Sequence, residues 1–177
     1  MGEMRVEPGT LSWPSRFAQQ EYEIQMFIAH YHLLPHGRKF AVVAKRDRPD
    51  YVVCDVNSGQ EFGIELASAH PGDLSVPKSD GHPVSFEIPD FSDAILKYEE
   101  QLAAAVRERV ERARGVYDTE CPLILSIYTN GYATLSTEDW KAFVQRHEAI
   151  FNDLSPFAEV VFWPLPSGKV LSVRPCM

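Results

Sequence analysis

The sequence predicts an α/β protein whose mixed β-sheet carries helices on both faces. Three observations lead to this fold class. Short β-branched and apolar runs within 40–67 are separated by turn signals, which predicts an antiparallel meander. A long amphipathic helix over 91–114 precedes the strand LILSIYT at 123–129, and a helix of that length can carry the chain to a parallel strand. The chain of 177 residues, 45% of them hydrophobic, is long enough for one domain with its own core.

The first half of the chain is expected to contain an irregular arm, a helix and the meander. Residues 1–14 show no periodicity and form the arm, and residues 15–177 form a single domain. Apolar residues recur at helical spacing from 15 to about 34, where a Pro-His-Gly segment ends the helix. The three predicted strands are 40–44, 51–56 and 62–67.

The second half is expected to contain two helices and three strands. Residues 69–90 hold four Pro and two Gly and form a long loop, and Asp90 can cap the 91–114 helix. After the 123–129 strand, a sequence resembling a capping box at 136–139 begins a helix that runs to about Phe151. Two strands, 160–165 and 169–173, form a terminal hairpin.

Charge and composition restrict the location and the partners of the protein. Lys and Arg total 17 against 25 Asp and Glu, a net charge of -8, which is unlike a protein that coats nucleic acid. An enzyme that touches nucleic acid through a local basic patch and a metal is still compatible with that charge. No apolar run approaches the ~20 residues that span a bilayer, and the N-terminus is not a secretory signal. We expect a cytoplasmic protein with free thiols and no membrane association.

Two acidic residues flank the turn between the second and third strands. A turn at Asn57-Ser58 places Asp50 opposite Glu65, and a turn one residue later keeps both acids on one face of the sheet. A three-residue loop without a bulge would instead separate them. Opposed carboxylates repel unless one is protonated or a divalent cation lies between them, and Mg²⁺ or Mn²⁺ fits such a pair.

A plainer interpretation has Asp50 capping a strand and Glu65 on a solvated face of an unrelated α/β domain. The residues around Glu65 are apolar, which instead indicates an acid within a buried central strand. Such acids are rare without a partner.

Pro49-Asp50 at a strand start, a glycine-containing hairpin and Glu65 within an apolar strand resemble the PD-(D/E)XK nuclease superfamily over about residues 15–130. The resemblance implies a restriction-endonuclease-like α-β-β-β-α-β core, to which this chain adds a C-terminal helix and β-hairpin. It implies that Asp50 and Glu65 are catalytic metal ligands and that the Leu66 carbonyl is a further ligand. A glutamate of the first helix would complete the site, Glu23 by first choice and Glu21 as the alternative.

The sequence departs from the family at the lysine of the E-x-K element, because Ala67 stands at that position. In the family this lysine orients the attacking water and stabilises developing negative charge. Candidates for a substitute are Lys97 and Gln101, which are spaced i, i+4 on the crossover helix, and His70 as a proton shuttle.

Two functions follow from the resemblance. The first is a Mg²⁺- or Mn²⁺-dependent nuclease that hydrolyses phosphodiester bonds, with DNA as the expected partner. The alternative is a catalytically inactive protein of the same fold that acts as a binding or assembly module, which the lysine-less motif favours. A homodimer is compatible with both functions.

Two clusters of basic residues are candidates for phosphate contacts. The arginines at the end of the long helix alternate with glutamates and suit the helix macrodipole, so we interpret them as structural: Arg107, Arg109, Arg112 and Arg114. Lys45, Arg46 and Arg48 precede Asp50 and would lie near one end of the site, which makes them the better phosphate patch.

Overall fold

The structure, a computed structural model, describes residues 16–69, 91–117, 120–129, 137–163 and 170–175. These ranges contain α1 (Arg16–Tyr31), β1 (Phe40–Lys45), β2 (Tyr51–Asp55), β3 (Glu61–Ala69), α2 (Phe91–Ala113), β4 (Leu123–Thr129), α3 (Thr137–Arg146), α4 (Glu148–Asn152), β5 (Phe157–Trp163) and β6 (Leu171–Val173). The predicted arm, residues 70–90 of the long loop with His70 and Asp90, Ser136 of the capping box and the turn of the terminal hairpin lie outside these ranges. None of the described helices is long and apolar enough to cross a membrane.

All six strands belong to one mixed sheet in the order β1-β2-β3-β4-β5-β6. The predicted meander is confirmed, because β1 pairs antiparallel with β2 and β2 antiparallel with β3. The predicted crossover is confirmed as well, since β4 is parallel to β3. Strand β5 continues the sheet in parallel with β4, and β6 returns antiparallel to β5.

The C-terminal helix differs from its prediction as a single helix to Phe151. It is interrupted at His147 into α3 and α4. Phe143 and Phe151 lie on either side of the interruption. Both rings pack against Phe162, with centroids 5.9 and 6.3 Å away. The interruption lies in the backbone of His147, whose φ of -110° and ψ of 25° are not helical.

Helices cover both faces of the sheet, as the sequence predicts. Alternate residues of β3 enter two separate apolar clusters, so neither face of this strand is solvated. One cluster joins α1 to the sheet and includes Ile24, Phe27, Tyr31, Ile64 and Leu66. The other joins α2, α3 and α4 to the opposite face and includes Ala67, Ala69, Leu102, Phe143 and Phe151.

Buried Glu159 links α1 to the last two strands. Its carboxylate accepts hydrogen bonds from the Tyr31 hydroxyl at 3.0 Å, His36 Nε2 at 2.8 Å and the Arg174 guanidinium at 3.3 Å. The Ser172 hydroxyl is a fourth donor. Both carboxylate oxygens are therefore satisfied, which makes this cluster a structural one.

A second buried acid, Glu99, joins α2 to α3. Its side chain is 1% exposed, and Arg146 approaches it with Nε 3.0 Å from Oε2 and Nη2 2.5 Å from Oε1. This two-pronged geometry is the strongest form of an arginine–carboxylate pair. It fixes α3 against α2 on the face of the sheet where Glu65 also lies.

We expect Arg146→Ala to lower the free energy of unfolding by about 2 kcal/mol, because Glu99 would keep a buried charge without its partner. Half-exposure of Arg146 keeps the loss below the value for a fully buried pair. Urea denaturation measures the change. Arg112→Ala is the control, because it removes an exposed pair with Glu108 and should cost less than about 0.5 kcal/mol. Equal losses in the two variants would show that burial of Glu99 does not make its arginine more important for stability.

Candidate functional site

The register of the β2–β3 hairpin sets the positions of the two acids. Tyr51 pairs with Ile64 and Val53 with Phe62, so the next step of the ladder places Asp50 opposite Glu65. This is the register predicted from a turn at Asn57-Ser58. The loop is longer than predicted. The Asp55 N–H bonds to the Gln60 carbonyl at 2.9 Å, and residues 56–59 form the loop between them. A four-residue loop keeps the register of the predicted two-residue turn, because the loop gains one residue on each side.

A close contact between Pro49 and Gly63 holds Asp50 over β3. A Cβ added to Gly63 would lie 2.6 Å from Pro49 Cγ and 2.5 Å from Leu123 Cδ2, so this position has room only for glycine. Asp50 then accepts a hydrogen bond from the Leu66 N–H to Oδ2 at 2.8 Å. The glycine is thus the reason that the turn can lie directly on the strand.

The Leu66 backbone faces Asp50 with its carbonyl as well as its N–H. In a strand the N–H and C=O of one residue point to the same side, and neighbouring residues point to opposite sides. Gly63 N–H points toward β4, where it bonds to the Pro122 carbonyl at 3.0 Å. Leu66 is an odd number of residues away and points toward Asp50. The carbonyl predicted as a ligand is therefore on the same side of β3 as the Asp50 carboxylate.

Glu65 is a buried acid within a central strand, as the sequence predicts, with 8% of its surface exposed. Arg109 Nη1 lies 3.5 Å from Oε1, and the Tyr117 hydroxyl hydrogen-bonds to the carboxylate. Oε2 is buried without a hydrogen-bond partner among the described residues. Burial raises the pKa of Glu65; the Asp50 charge acts in the same direction, against the hydrogen bond from Tyr117 and the Arg109 charge.

Tyr117 reaches Glu65 because α2 ends at a glycine. Gly115 has a φ of +71°, and the N–H groups of Val116 and Tyr117 both bond back to the Ala113 carbonyl. This is a common way for a helix to end, and it returns the chain toward the sheet. Burial and the hydrogen bond to Glu65 raise the pKa of Tyr117. The phenol therefore remains a neutral donor at physiological pH.

Helix α1 contributes a different residue from the two glutamates that the sequence suggested. Gln20 Nε2 donates to Asp50 Oδ1 at 3.3 Å. Glu23 is buried and accepts a hydrogen bond from Gln19 at 2.7 Å, and Glu21 accepts one from the Tyr51 hydroxyl at 2.8 Å. In the described ranges, no three His, Cys, Asp or Glu side chains are arranged to hold a metal, so Glu23 does not complete a three-acid cluster with Asp50 and Glu65.

The two candidates on the crossover helix differ in exposure. Lys97 is exposed and forms no ion pair with Asp50 or Glu65 in the described part of the chain, and Gln101 is half-buried. Arg109, an α2 side chain two helical turns beyond Gln101, contacts Glu65. Arg109 therefore does more than complement the helix macrodipole, because it pairs with a buried acid of β3.

A signal for Arg109 was present in the sequence. Projected at about 100° per residue, Arg109 lies about 20° from Tyr98 and so falls within the apolar stripe of α2. An arginine within such a stripe faces the sheet and needs an acidic partner there. Arg114 lies outside the stripe, and it forms an exposed pair with Asp153 at 2.6 Å.

The donor set has the chemistry of a site for a hard divalent cation. Two carboxylates and a backbone carbonyl supply only oxygen, which Mg²⁺ and Mn²⁺ prefer. The buried Oε2 of Glu65 has no hydrogen-bond donor among the described residues, which leaves it available to a cation. Asp50, Glu65 and Leu66 therefore fit such an ion. No protein-family model, no curated protein and no solved structure matches this chain.

We expect Glu65→Gln to stabilise the fold at neutral pH by about 1 kcal/mol, because it removes the cost of a buried charge. The native state holds the Glu65 proton to higher pH than the unfolded chain does, so wild-type stability falls as pH rises through the raised pKa. The variant should lack this slope. Chemical denaturation at a series of pH values measures both effects.

The control for this prediction is Glu61→Gln, which changes an exposed acid on the same strand. It should leave the pH dependence of the wild type unchanged. An equal change of slope in the two variants would show that burial of Glu65 does not govern the pH dependence.

Proposed function

We propose that this chain is a Mg²⁺- or Mn²⁺-dependent nuclease of the PD-(D/E)XK type that hydrolyses phosphodiester bonds of DNA. The observation that carries the proposal is the juxtaposition of Asp50, Glu65 and the Leu66 backbone in one hairpin. The buried Oε2 of Glu65 has no hydrogen-bond donor among the described residues, and the Asp50 charge contributes to the raised pKa of Glu65. A bound cation would relieve both.

The order of the elements supports this assignment. The first six elements are, in chain order, a helix (α1), a three-stranded meander (β1 to β3), a crossover helix (α2) and a further strand (β4). This order agrees with the core that the family resemblance implies. The acids stand at the start of β2 and in the middle of β3, at the positions of the family motif. Strands β5 and β6 extend the sheet beyond β4, on the side away from the β2–β3 hairpin.

Each residue of the site would have a defined task. Asp50, Glu65 and the Leu66 carbonyl would hold the cation, which when bound supplies a Lewis acid beside the scissile phosphodiester. Gln20 and the Leu66 N–H orient the Asp50 carboxylate. Tyr117 keeps the Glu65 carboxylate in place as a neutral donor.

Arg109 offers a positive charge where the motif lysine is missing. Ala67 has no charge to place beside the reacting phosphate, whereas the Arg109 guanidinium lies 3.5 Å from Glu65. An arginine cannot act as a base, because it stays protonated. Its role would therefore be to stabilise the negative charge that develops on the phosphate oxygens.

The first test measures Mn²⁺ binding by calorimetry and Mg²⁺-dependent cleavage of DNA with the variants Asp50→Asn and Glu65→Gln. Both should lose metal binding and lower cleavage by about 10²-fold or more, because each removes an anionic ligand. Asp47→Asn is the matched control, because it neutralises an exposed acid three residues from Asp50, and it should behave as the wild type. Absence of metal binding in the wild type would refute the proposal.

A second candidate function is the catalytically inactive binding or assembly module. Ala67 favours it, and so does the Arg109 contact, which already neutralises part of the Glu65 charge. Wild-type protein that binds DNA and Mn²⁺ without cleaving DNA in either Mg²⁺ or Mn²⁺ would establish this function instead.

The second test concerns Arg109. Arg109→Ala should lower kcat by about 10²-fold without weakening Mn²⁺ binding, since the guanidinium acts on the substrate's charge and its removal leaves Glu65 more negative. Arg109→Lys should restore part of the rate. Arg107→Ala, an exposed arginine on the same helix, is the control. Full activity of Arg109→Ala would show that Arg109 has no role in the mechanism.

A further inference from the structure

A cleft of about 580 Å³ lies beside the candidate site. The β1–β2 turn forms one wall, and the segment that leads into β4 forms the other. Its lining includes Arg46, Arg48, Pro49, Glu61, Glu120 and Cys121. The volume is that of a typical small-ligand site and is large enough for one nucleotide.

The cleft and the site share one strand and one turn. Glu61 lies in the cleft and Glu65 in the site, so both project from the same face of β3 with about 13 Å between their Cα atoms. Pro49, packed on Gly63, lies between them. Arg46 N–H bonds to the Asp50 carbonyl at 2.9 Å, which fixes the cleft wall to the acid. A small substrate can occupy the site alone, whereas a polymer can cross Pro49 and enter both.

The charges of the cleft match the two ends of a nucleotide. Arg46 and Arg48 are exposed guanidinium groups, which bind phosphate oxygens. Glu61 and Glu120 are acceptors, which suit the amino groups of an unpaired base. A purely anionic ligand would not need the two acids, and an uncharged one would not need the arginines.

We infer that this cleft binds a nucleotide of a single DNA strand next to the scissile phosphodiester, with Arg46 and Arg48 on its phosphate. The inference rests on the proposed function for the position of the scissile bond. It makes the substrate a polynucleotide that spans the cleft and the site together.

The experiment compares two substrates in Mn²⁺, a single-stranded oligodeoxynucleotide and bis(p-nitrophenyl) phosphate, which is too small to reach the cleft. The double variant Arg46→Ala/Arg48→Ala should lower kcat/KM for the oligonucleotide by about tenfold or more and leave hydrolysis of the small ester unchanged. Fluorescence anisotropy with the labelled oligonucleotide, without metal, should show a Kd raised to the same extent and a weaker dependence on salt. Arg107→Ala is the control for loss of positive charge.

The outcomes separate this inference from the proposed function. If the wild type hydrolyses both substrates and the double variant keeps full oligonucleotide activity and affinity, the cleft inference is wrong and the nuclease stands. If neither substrate is hydrolysed but the double variant loses oligonucleotide affinity, the cleft binds the strand as inferred, but the nuclease and the position of a scissile bond are wrong. An equal loss on the small ester would show that the variant disturbs the site itself and would overturn the separate role of the cleft. Tighter binding of duplex than of single-stranded DNA would contradict the unpaired base.

Discussion

The contact of Pro49 with Gly63 is the constraint on which the rest of the site depends. It sets the β1–β2 turn directly on β3, and the hairpin register then places Asp50 across from Glu65. From that position Asp50 reaches the Leu66 N–H, and Arg46 closes the turn on the Asp50 carbonyl. A side chain at position 63 would lift the turn and separate the parts of the site.

The buried acids of this protein differ in how well they are satisfied. Glu99 is held by a two-pronged arginine, and Glu159 receives four donors on its two oxygens. Glu65 has the Arg109 guanidinium at 3.5 Å and the Tyr117 hydroxyl, and its Oε2 has no donor among the described residues. Proteins rarely leave a buried carboxylate incompletely bonded without a use for it. Because Glu65 is the least completely hydrogen-bonded of these three buried acids, we assign the proposed metal chemistry to it.

The local features of the fold were predictable because short-range rules decide them. Turn residues and alternating side chains set the meander, and the length of α2 set the parallel placement of β4. The opposition of Asp50 and Glu65 depends only on the register of one hairpin, so the sequence predicts it directly. Division of the C-terminal helix occurs instead at the non-helical backbone of His147, within a run that has no Pro or Gly to signal a break.

The residues around the two acids were harder to predict because they come from distant segments. Gln20 approaches from α1, and Arg109 and Tyr117 approach from the end of α2. The apolar stripe of a helix shows which of its residues face the sheet, so it predicts that Arg109 faces the sheet. It does not tell which strand residue each one meets, and Tyr117 depends further on the backbone conformation of Gly115.

The short connection between β2 and β3 also has a consequence for the order of assembly. Residues 56–60 join these strands, whereas residues 70–122 separate β3 from β4, so the hairpin closes at a far smaller entropic cost. Asp50 and Glu65 thus meet while water still surrounds them. Docking of α2 is then the folding step that dehydrates the pair. The same helix that supplies Arg109 to Glu65 is thus the one that covers the pair last.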